Sequence, residues 1–482
     1  MNDTNRVTAP PQPPALSGNL GVVPIVMMVI ATAAPLTVMV ANTPLMIGLG
    51  NGAAAPFDAL AAMLIMFMFA VGFVALSRHI GNAGAFYACI QKGLGRVVGL
   101  GAATLAMISY SLFLLAIGTY VGYASSELLN SLFGVAPPWW LLTLTAIAII
   151  GVLGYRRIEM SSKFLGVALI LEIAVVLVVN LLVISDKGIG GLPLESFQPS
   201  HILSGSPGLG ILFAIYSFIG FESTVIYREE ARNPERTIPI ATYTAVFSVG
   251  IFYVLSMWCA VAGIGVEQIV AFANEHPGDM YLLLAEQHLG KTFSDVIQVL
   301  LITSLFACML SLHNIVVRYQ YILGKYSVLP ARCARIHAEH GSPYVASLLQ
   351  SGFAVVGILL LMLAGLDPVT QIYAWGATAG TLGYMVVLAL TSAAVLAYFK
   401  RSGNDKRLWN TRIAPLGGLI GILACLAIAI ANLPMLIGGD NASDIAQLMG
   451  LLVLLAFAIG SISALLLKGR APERYLALRE LA

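Results

Sequence analysis

Tyr216-Ser217-Phe218-Ile219-Gly220-Phe221-Glu222 is the stretch on which the fold turns. It interrupts an apolar run with a serine, a glycine and an acid. In hydrocarbon, a broken helix leaves backbone groups that water cannot reach. Such a break is tolerated only where protein or a water-filled cavity re-satisfies them. A second interruption, Ala33-Ala34-Pro35-Leu36-Thr37, puts a proline near the middle of the first apolar run. Each has an ordinary explanation by itself: a proline kink, or a glycine that lets helices pack closely. The pairing is what favours function. The two runs are the first and the sixth, the opening helices of two five-helix halves, one entering from inside and the other from outside. Broken helices at matching positions of inverted repeats point to a transporter binding site. The predicted fold is therefore an all-α membrane protein of 12 transmembrane helices, a five-plus-five inverted repeat with helices 1 and 6 broken.

The composition supports this. Of 482 residues, 59% are hydrophobic and 10% charged, and the mean hydropathy is +0.89. A soluble domain carries roughly 25% charge. A helix needs about 20 apolar residues to cross the bilayer. Runs of that kind read as 20–48, 54–76, 97–128, 139–155, 161–184, 209–228, 238–264, 293–323, 346–364, 372–398, 416–436 and 448–467. With the N-terminus inside, all Lys and Arg residues but Lys187 and Lys291 fall on the inner side. Positive charge marks the cytoplasmic side, so both termini are expected there, in a cell (inner) membrane. The chain divides into a disordered cytoplasmic tail (1–18), a ten-helix transport core (20–400), helices 11 and 12 (401–467) and a cytoplasmic C-terminal tail (468–482). Ala31-Thr32-Ala33-Ala34 resembles a signal-peptidase site, but the apolar run continues past it. The stretch 280–285, too short to cross, reads as a short helix lying on the outer face.

Other classes fit poorly. A net charge of +2 gives no reason to expect a nucleic-acid partner. Cys89, Cys259, Cys308, Cys333 and Cys425 have neither disulfide-framework nor metal-ligand spacing. There is no Gly-x-Ser-x-Gly elbow and no His-Glu-x-x-His. Gly93-Leu94-Gly95 precedes a membrane span and follows no strand, so it is no phosphate loop. No enzyme activity, cofactor or metal is expected. An ion channel is the closest rival, since broken helices also line pores; it would show neither saturation nor counter-transport.

The motifs also carry a resemblance. Tyr216 through Ser223, followed by Ala231-Arg232-Asn233-Pro234-Glu235-Arg236-Thr237-Ile238-Pro239-Ile240-Ala241-Thr242, resembles the sixth-helix signature of the amino acid–polyamine–organocation superfamily, closest to the arginine–agmatine antiporter branch. Gly81-Asn82-Ala83-Gly84-Ala85-Phe86-Tyr87 through Gly95 is similar to the glycine-rich segment before the third helix of that family. Ala33 to Thr37 resembles the proline-containing first helix of several permeases, putrescine importers among them. Arg318 through Pro330 resembles the end of the eighth helix less closely. The resemblance covers roughly 20–400 and implies a leucine-transporter-like fold. It also implies an amino acid substrate, or a polyamine or other organic amine as the alternative. Coupling would be to protons or by exchange, with sodium left open. The remaining partner is the lipid bilayer, and the oligomeric state is left open.

The substrate site is expected at Ala33, Ala34, Pro35, Leu36 and Thr37 of the first break and at Tyr216, Ser217, Phe218, Ile219 and Gly220 of the second. Pro35 suits the first position of an outer half-helix, which leaves the amides of Leu36 and Thr37 to face an anion. Many amino-acid permeases have a Gly-Ser-Gly break there; Ala-Ala-Pro loses one donor and leaves room for an amine without a carboxylate. Glu172 and Glu222 are intramembrane acids, costly to insert and functional by default. Either could instead be a structural hydrogen-bonder. The resemblance makes Glu222 a proton-sensitive or gating carboxylate on the cytoplasmic side. It places Glu172 where related permeases carry a lysine that replaces a sodium ion. His313 reads as a proton relay or, more commonly, as a packing residue. Tyr110, Tyr120, Tyr373 and Trp375 are candidate walls, Tyr216 is a candidate gate, and Ser304 and Ser311 are hydroxyls too commonplace to assign. The charge run 228–236 reads as a solvated loop or as part of a cytoplasmic gate.

Overall fold

The computed structural model describes residues 20–80, 85–156, 162–226, 228, 231–325, 328–403, 405–438 and 441–478. The N-terminal tail, the Gly81–Gly84 motif, Glu229, Glu230 and residues 479–482 lie outside the described residues. Among the described residues, ten helical stretches are long and apolar enough to cross a membrane, and the one β-type contact is an isolated parallel bridge between Leu20 and Ala231. The chain is a multi-pass, all-helical membrane protein.

The first of these stretches, Val22–Ser77, spans 56 residues. Straight, it would measure about 84 Å at 1.5 Å per residue, against a hydrocarbon core of about 30 Å. Two interruptions fold it. α1 (Val22–Ala33) stops because Pro35 has no N–H to continue the ladder. Ala34 takes a left-handed conformation (φ 47°, ψ 68°) and is the single positive-φ residue other than glycine among the described residues. The helix resumes with Pro35 at its first position and runs to Asn51, where Gly50 leaves helical geometry (φ −99°, ψ −115°). α2 (Ala55–Ser77) then returns.

The next helices are α3 (Arg96–Phe133), α4 (Trp139–Arg156) and α5 (Ser162–Lys187). α6 (Pro207–Tyr216) is short. It is followed by a turn over 217–222 and one further turn of helix, Ser223–Ile226. α7 (Pro234–Ile264), α8 (Lys291–Lys325), α9 (Tyr344–Leu363), α10 (Ala374–Ser402), α11 (Ala414–Ile437) and α12 (Ala442–Arg470) complete the order. α3 is the most deeply enclosed of the long helices, packed by α8, α10, α12 and α4. α12 is peripheral and presents Leu448, Leu451, Leu454, Leu455, Ile459 and Ile462 outward, as a lipid-facing helix does. The expected outer segment forms a helix over Met280–Leu289, but it does not simply lie on the surface. Met280, Tyr281, Leu282, Leu284 and Ala285 are buried, because this apolar face packs on α8 and α5.

The two broken helices are joined along their length. Ser206 donates its amide to the Gly50 carbonyl at 2.8 Å. Asn42 Nδ2 donates to the Phe213 carbonyl (2.8 Å) and to Ser217 Oγ (2.7 Å), satisfying the end of α6. At the other end, Arg232 donates its amide to the Leu20 carbonyl at 2.9 Å. The middle contact is the tightest. Gly220 has φ +102°, and a Cβ on it would stand 2.5 Å from Thr32 Cγ2. Only glycine combines that backbone with that approach. The two breaks therefore abut at the same level of the bundle.

Candidate functional site

A cavity opens beside the paired breaks, with about 510 Å³ of space not filled by atoms, its mouth included. The first broken helix contributes Thr32, Ala33, Ala34, Thr37 and Val38, and the second contributes Tyr216 and Ile219. α3 adds Phe113 and Ile117. α8 adds Cys308, Ser311, Leu312 and Ile315, and Tyr373, just before α10, closes the set. The surface is mainly aliphatic and aromatic, with hydroxyls from Thr32, Thr37, Tyr216, Ser311 and Tyr373. None of these lining residues is Asp, Glu, Lys, Arg or His.

The Tyr216 ring sits 5.2 Å from Phe113 and 6.4 Å from Tyr373, forming an aromatic wall. Ala34 is strained: a left-handed conformation costs an L-residue about 1–2 kcal/mol, and such strain clusters at functional sites. The turn at the second break uses the carbonyls of Tyr216, Phe218, Gly220 and Phe221 for its own hydrogen bonds, which leaves those of Ser217 and Ile219 outside that pattern.

Of the ten expected binding residues, Ala33, Ala34, Thr37, Tyr216 and Ile219 line the cavity; Pro35, Leu36, Ser217, Phe218 and Gly220 do not. Phe218 is buried against Tyr253, with the rings 6.0 Å apart, and the Ser217 hydroxyl is engaged by Asn42. The Leu36 amide, expected to face an anionic substrate group, is instead turned toward the Glu172 carboxylate. The reason is tertiary. α5 brings Glu172 to the start of the helix that begins at Pro35, where free amides attract a carboxylate. Ser304 Oγ donates to Glu172 Oε2 at 2.9 Å, and Thr37 Oγ1 donates to Ser304 Oγ at 3.4 Å. Glu172 thus lies one layer behind the cavity wall and ties α5, α8 and the first break together.

Glu222 lies beyond the second break. It accepts from the Gly220 amide (3.0 Å), from the Tyr384 hydroxyl (3.3 Å) and from the Tyr110 hydroxyl. This satisfies the broken helix end and links it to α3 and α10. His313 faces away from the cavity: its Nε2 is 3.0 Å from Ser347 Oγ, between α4 and α9. Tyr110 and Tyr120 are not part of the wall; Tyr120 donates to the Gly278 carbonyl at 2.8 Å. In the charge run, Arg228 pairs with Glu235, which also lies 3.6 Å from Arg78.

Sequence reasoning missed Thr32, Val38, Phe113, Ile117, Cys308, Leu312 and Ile315. A signal existed in part. Cys308, Ser311, Leu312 and Ile315 follow the i, i+3, i+4, i+7 pattern of one helix face, so fixing one would have given the rest. It also missed Asp58, fully buried at the start of α2.

The family model described as amino acid permease matches residues 20–459. The chain is similar to the branched-chain amino acid permease BcaP of Bacillus subtilis, 25% identical over 56% of this chain and 54% of that protein, so it spans about half of that relative. It is also similar to the low-affinity putrescine importer PlaP of Escherichia coli, 23% identical over 71% of this chain and 75% of that one. The lysine-specific permease LysP of Lactococcus lactis is 22% identical over 54% of this chain and 50% of its own length. The match covers both breaks, the cavity and all but the end of α12: the chain belongs to the amino acid permease family.

Proposed function

We propose that the chain is a secondary transporter for a neutral α-amino acid with an apolar side chain, driven by protons or by exchange. One observation carries the substrate class: the cavity wall bears no charged side chain among the described residues. An unpaired charge in such a space is costly, so the substrate's side chain is apolar. Its ammonium is held by the carbonyl of Ile219, under the Tyr216 ring. Its carboxylate is held by the Thr37 amide, because Pro35 has no donor, the Leu36 amide is turned toward Glu172 and the Thr37 hydroxyl donates to Ser304. The similarity to a branched-chain amino acid permease supports the same reading. A diamine would bring a second ammonium to a wall of Phe113, Ile117, Leu312 and Ile315 with nothing to receive it.

The topology follows the paired breaks. Val22–Ser77 makes two passes, α6 with its turn makes a sixth, and twelve spans form two inverted five-helix halves plus α11 and α12, both termini in the cytoplasm of a cell membrane. Glu172 is the coupling group, because it holds the first break to α8, the helix that supplies Cys308, Ser311, Leu312 and Ile315 to the cavity wall. Glu222 gates the cytoplasmic side.

A thermal-shift screen on purified protein, followed by uptake into proteoliposomes, tests the substrate. Ligands stabilise by mass action, so leucine, isoleucine or valine raises the melting temperature and putrescine does not. Stabilisation and uptake of putrescine with no response to neutral amino acids would overturn the assignment in favour of an amine.

A further inference from the structure

A second buried polar cluster lies away from the cavity, where the first broken helix ends. Asn51 follows the kink at Gly50, Asp58 stands in the first turn of α2, and residues 205–210 enter α6 beside them. Asp58 is 0% exposed and Asn51 1%. Asn51 Nδ2 donates to Asp58 Oδ1 at 3.3 Å. The other two atoms of the pair, Asp58 Oδ2 and Asn51 Oδ1, are buried with no hydrogen-bond partner. Both are oxygens, and an ionised carboxylate and an amide carbonyl can only accept. Two glycines make the room. A Cβ on Gly210 would stand 2.0 Å from Asp58 Oδ2, and one on Gly205 would stand 3.2 Å from Asn51 Oδ1.

The charges around Asp58 give no counter-ion. On the turn Leu194–Phe197, Glu195 is exposed. Pro207–Tyr216 faces it with Gly210. On α7, Tyr253 is directed at the Ala33 carbonyl and Cys259 lies within range of Tyr281. On α10, Tyr384 is directed at Glu222. On α11, the Cys425 thiol lies within electrostatic range of Asp58. The segments Pro199–Ile202 and Ile269–Glu275, which also pack here, carry His201 and Glu275; among the described residues none of the charged or titratable groups acts on Asp58, whose one side-chain partner is Asn51.

We propose that Asp58 and Asn51 form a proton-binding site that clamps the end of the first broken helix to the entrance of the sixth. One proton on Asp58 Oδ2, taken up from water, serves both orphaned oxygens. The acid O–H donates to Asn51 Oδ1 while Asn51 Nδ2 donates to Asp58 Oδ1, a reciprocal acid–amide pair. No other bond forms or breaks. A metal cation fits the same place poorly, because the Asn51 amino group already faces the carboxylate. Loss of the proton turns the pair into two opposed acceptors and loosens segment 50–54 from segment 205–210. That junction belongs to the broken helices themselves, so the site makes their movement sensitive to pH. It requires no particular substrate and stands apart from the one proposed above.

The test is infrared difference spectroscopy on the full chain in lipid nanodiscs, with Asp58→Asn as the variant. Asparagine at 58 keeps two reciprocal hydrogen bonds and needs no proton. The wild type shows a protonated-carboxyl stretch near neutral pH that is absent in Asp58→Asn, and its melting temperature falls as the pH is raised while that of Asp58→Asn does not. Asn51→Ala, which leaves Asp58 in place, shifts the frequency of the same band and keeps the proposal testable if Asp58→Asn does not fold. The proposal is overturned if the two spectra are identical in the carboxyl region. It is equally overturned if sodium chloride, compared with choline chloride, stabilises the wild type and not Asp58→Asn; the site would then hold a metal cation.

Discussion

Gly220→Ala probes the contact on which the architecture rests, and its cost has two separable parts. The added methyl meets Thr32 Cγ2 at 2.5 Å, Thr32 Cβ at 3.0 Å and the Thr32 carbonyl carbon at 3.4 Å, where relaxed carbon contacts lie at about 3.5–4.0 Å. Overpacking of this kind costs about 1–3 kcal/mol. Holding a non-glycine residue at φ +102° adds about 1–3 kcal/mol. The total is about 2–6 kcal/mol. Thr32→Ala removes Cγ2, the nearest atom, and leaves the backbone strain untouched. By itself it costs roughly 0.8 kcal/mol for the lost methyl and about 0.5–1.5 kcal/mol for the lost hydrogen bond from the Thr32 hydroxyl to the Met28 carbonyl. In the double variant the Cγ2 clash disappears, so the two effects fail to add by about 1–2 kcal/mol. Reversible unfolding by SDS in mixed micelles, run on all four proteins, measures that coupling as a double-mutant cycle. Agreement with additivity to within about 0.5 kcal/mol, the level seen for separated sites, would mean that the two breaks do not touch. So would a Gly220→Ala protein as stable as the wild type.

Three further outcomes follow from the site. Tyr216→Ala removes a cation–aromatic contact worth about 0.5–2 kcal/mol and raises the apparent substrate Kd about 2- to 30-fold by isothermal titration, whereas Tyr216→Trp is tolerated; unchanged binding in the alanine variant removes Tyr216 from the site. Glu172→Gln imitates the protonated carboxyl, so exchange continues in counterflow while the pH dependence of uptake flattens between about pH 5 and pH 8; a wild type indifferent to pH but dependent on sodium contradicts this. Glu222→Gln shifts the pH optimum of uptake with substrate Kd nearly unchanged, and a large loss of binding would show that Glu222 shapes the cavity instead of gating it.

The class of the protein and the positions of its two breaks were determined by the sequence itself, because both rest on local chemistry. Few charges over long apolar runs exclude a water-facing surface. Pro35 cannot donate to the ladder, and Gly220 supports a conformation that other residues resist, whatever surrounds them. Tertiary structure alone decided which faces look inward. In a membrane helix, a leucine facing lipid and a leucine facing protein are chemically alike, so periodicity is silent. Cys308, Leu312 and Ile315 on α8 and Phe113 and Ile117 on α3 became cavity residues only through packing. The same holds for the pairings between distant positions. Leu36 turned its amide toward Glu172, His313 turned to Ser347, and Asp58 met Asn51 beside Gly210. Each is fixed by how helices far apart in the chain approach one another, and no single segment encodes that distance.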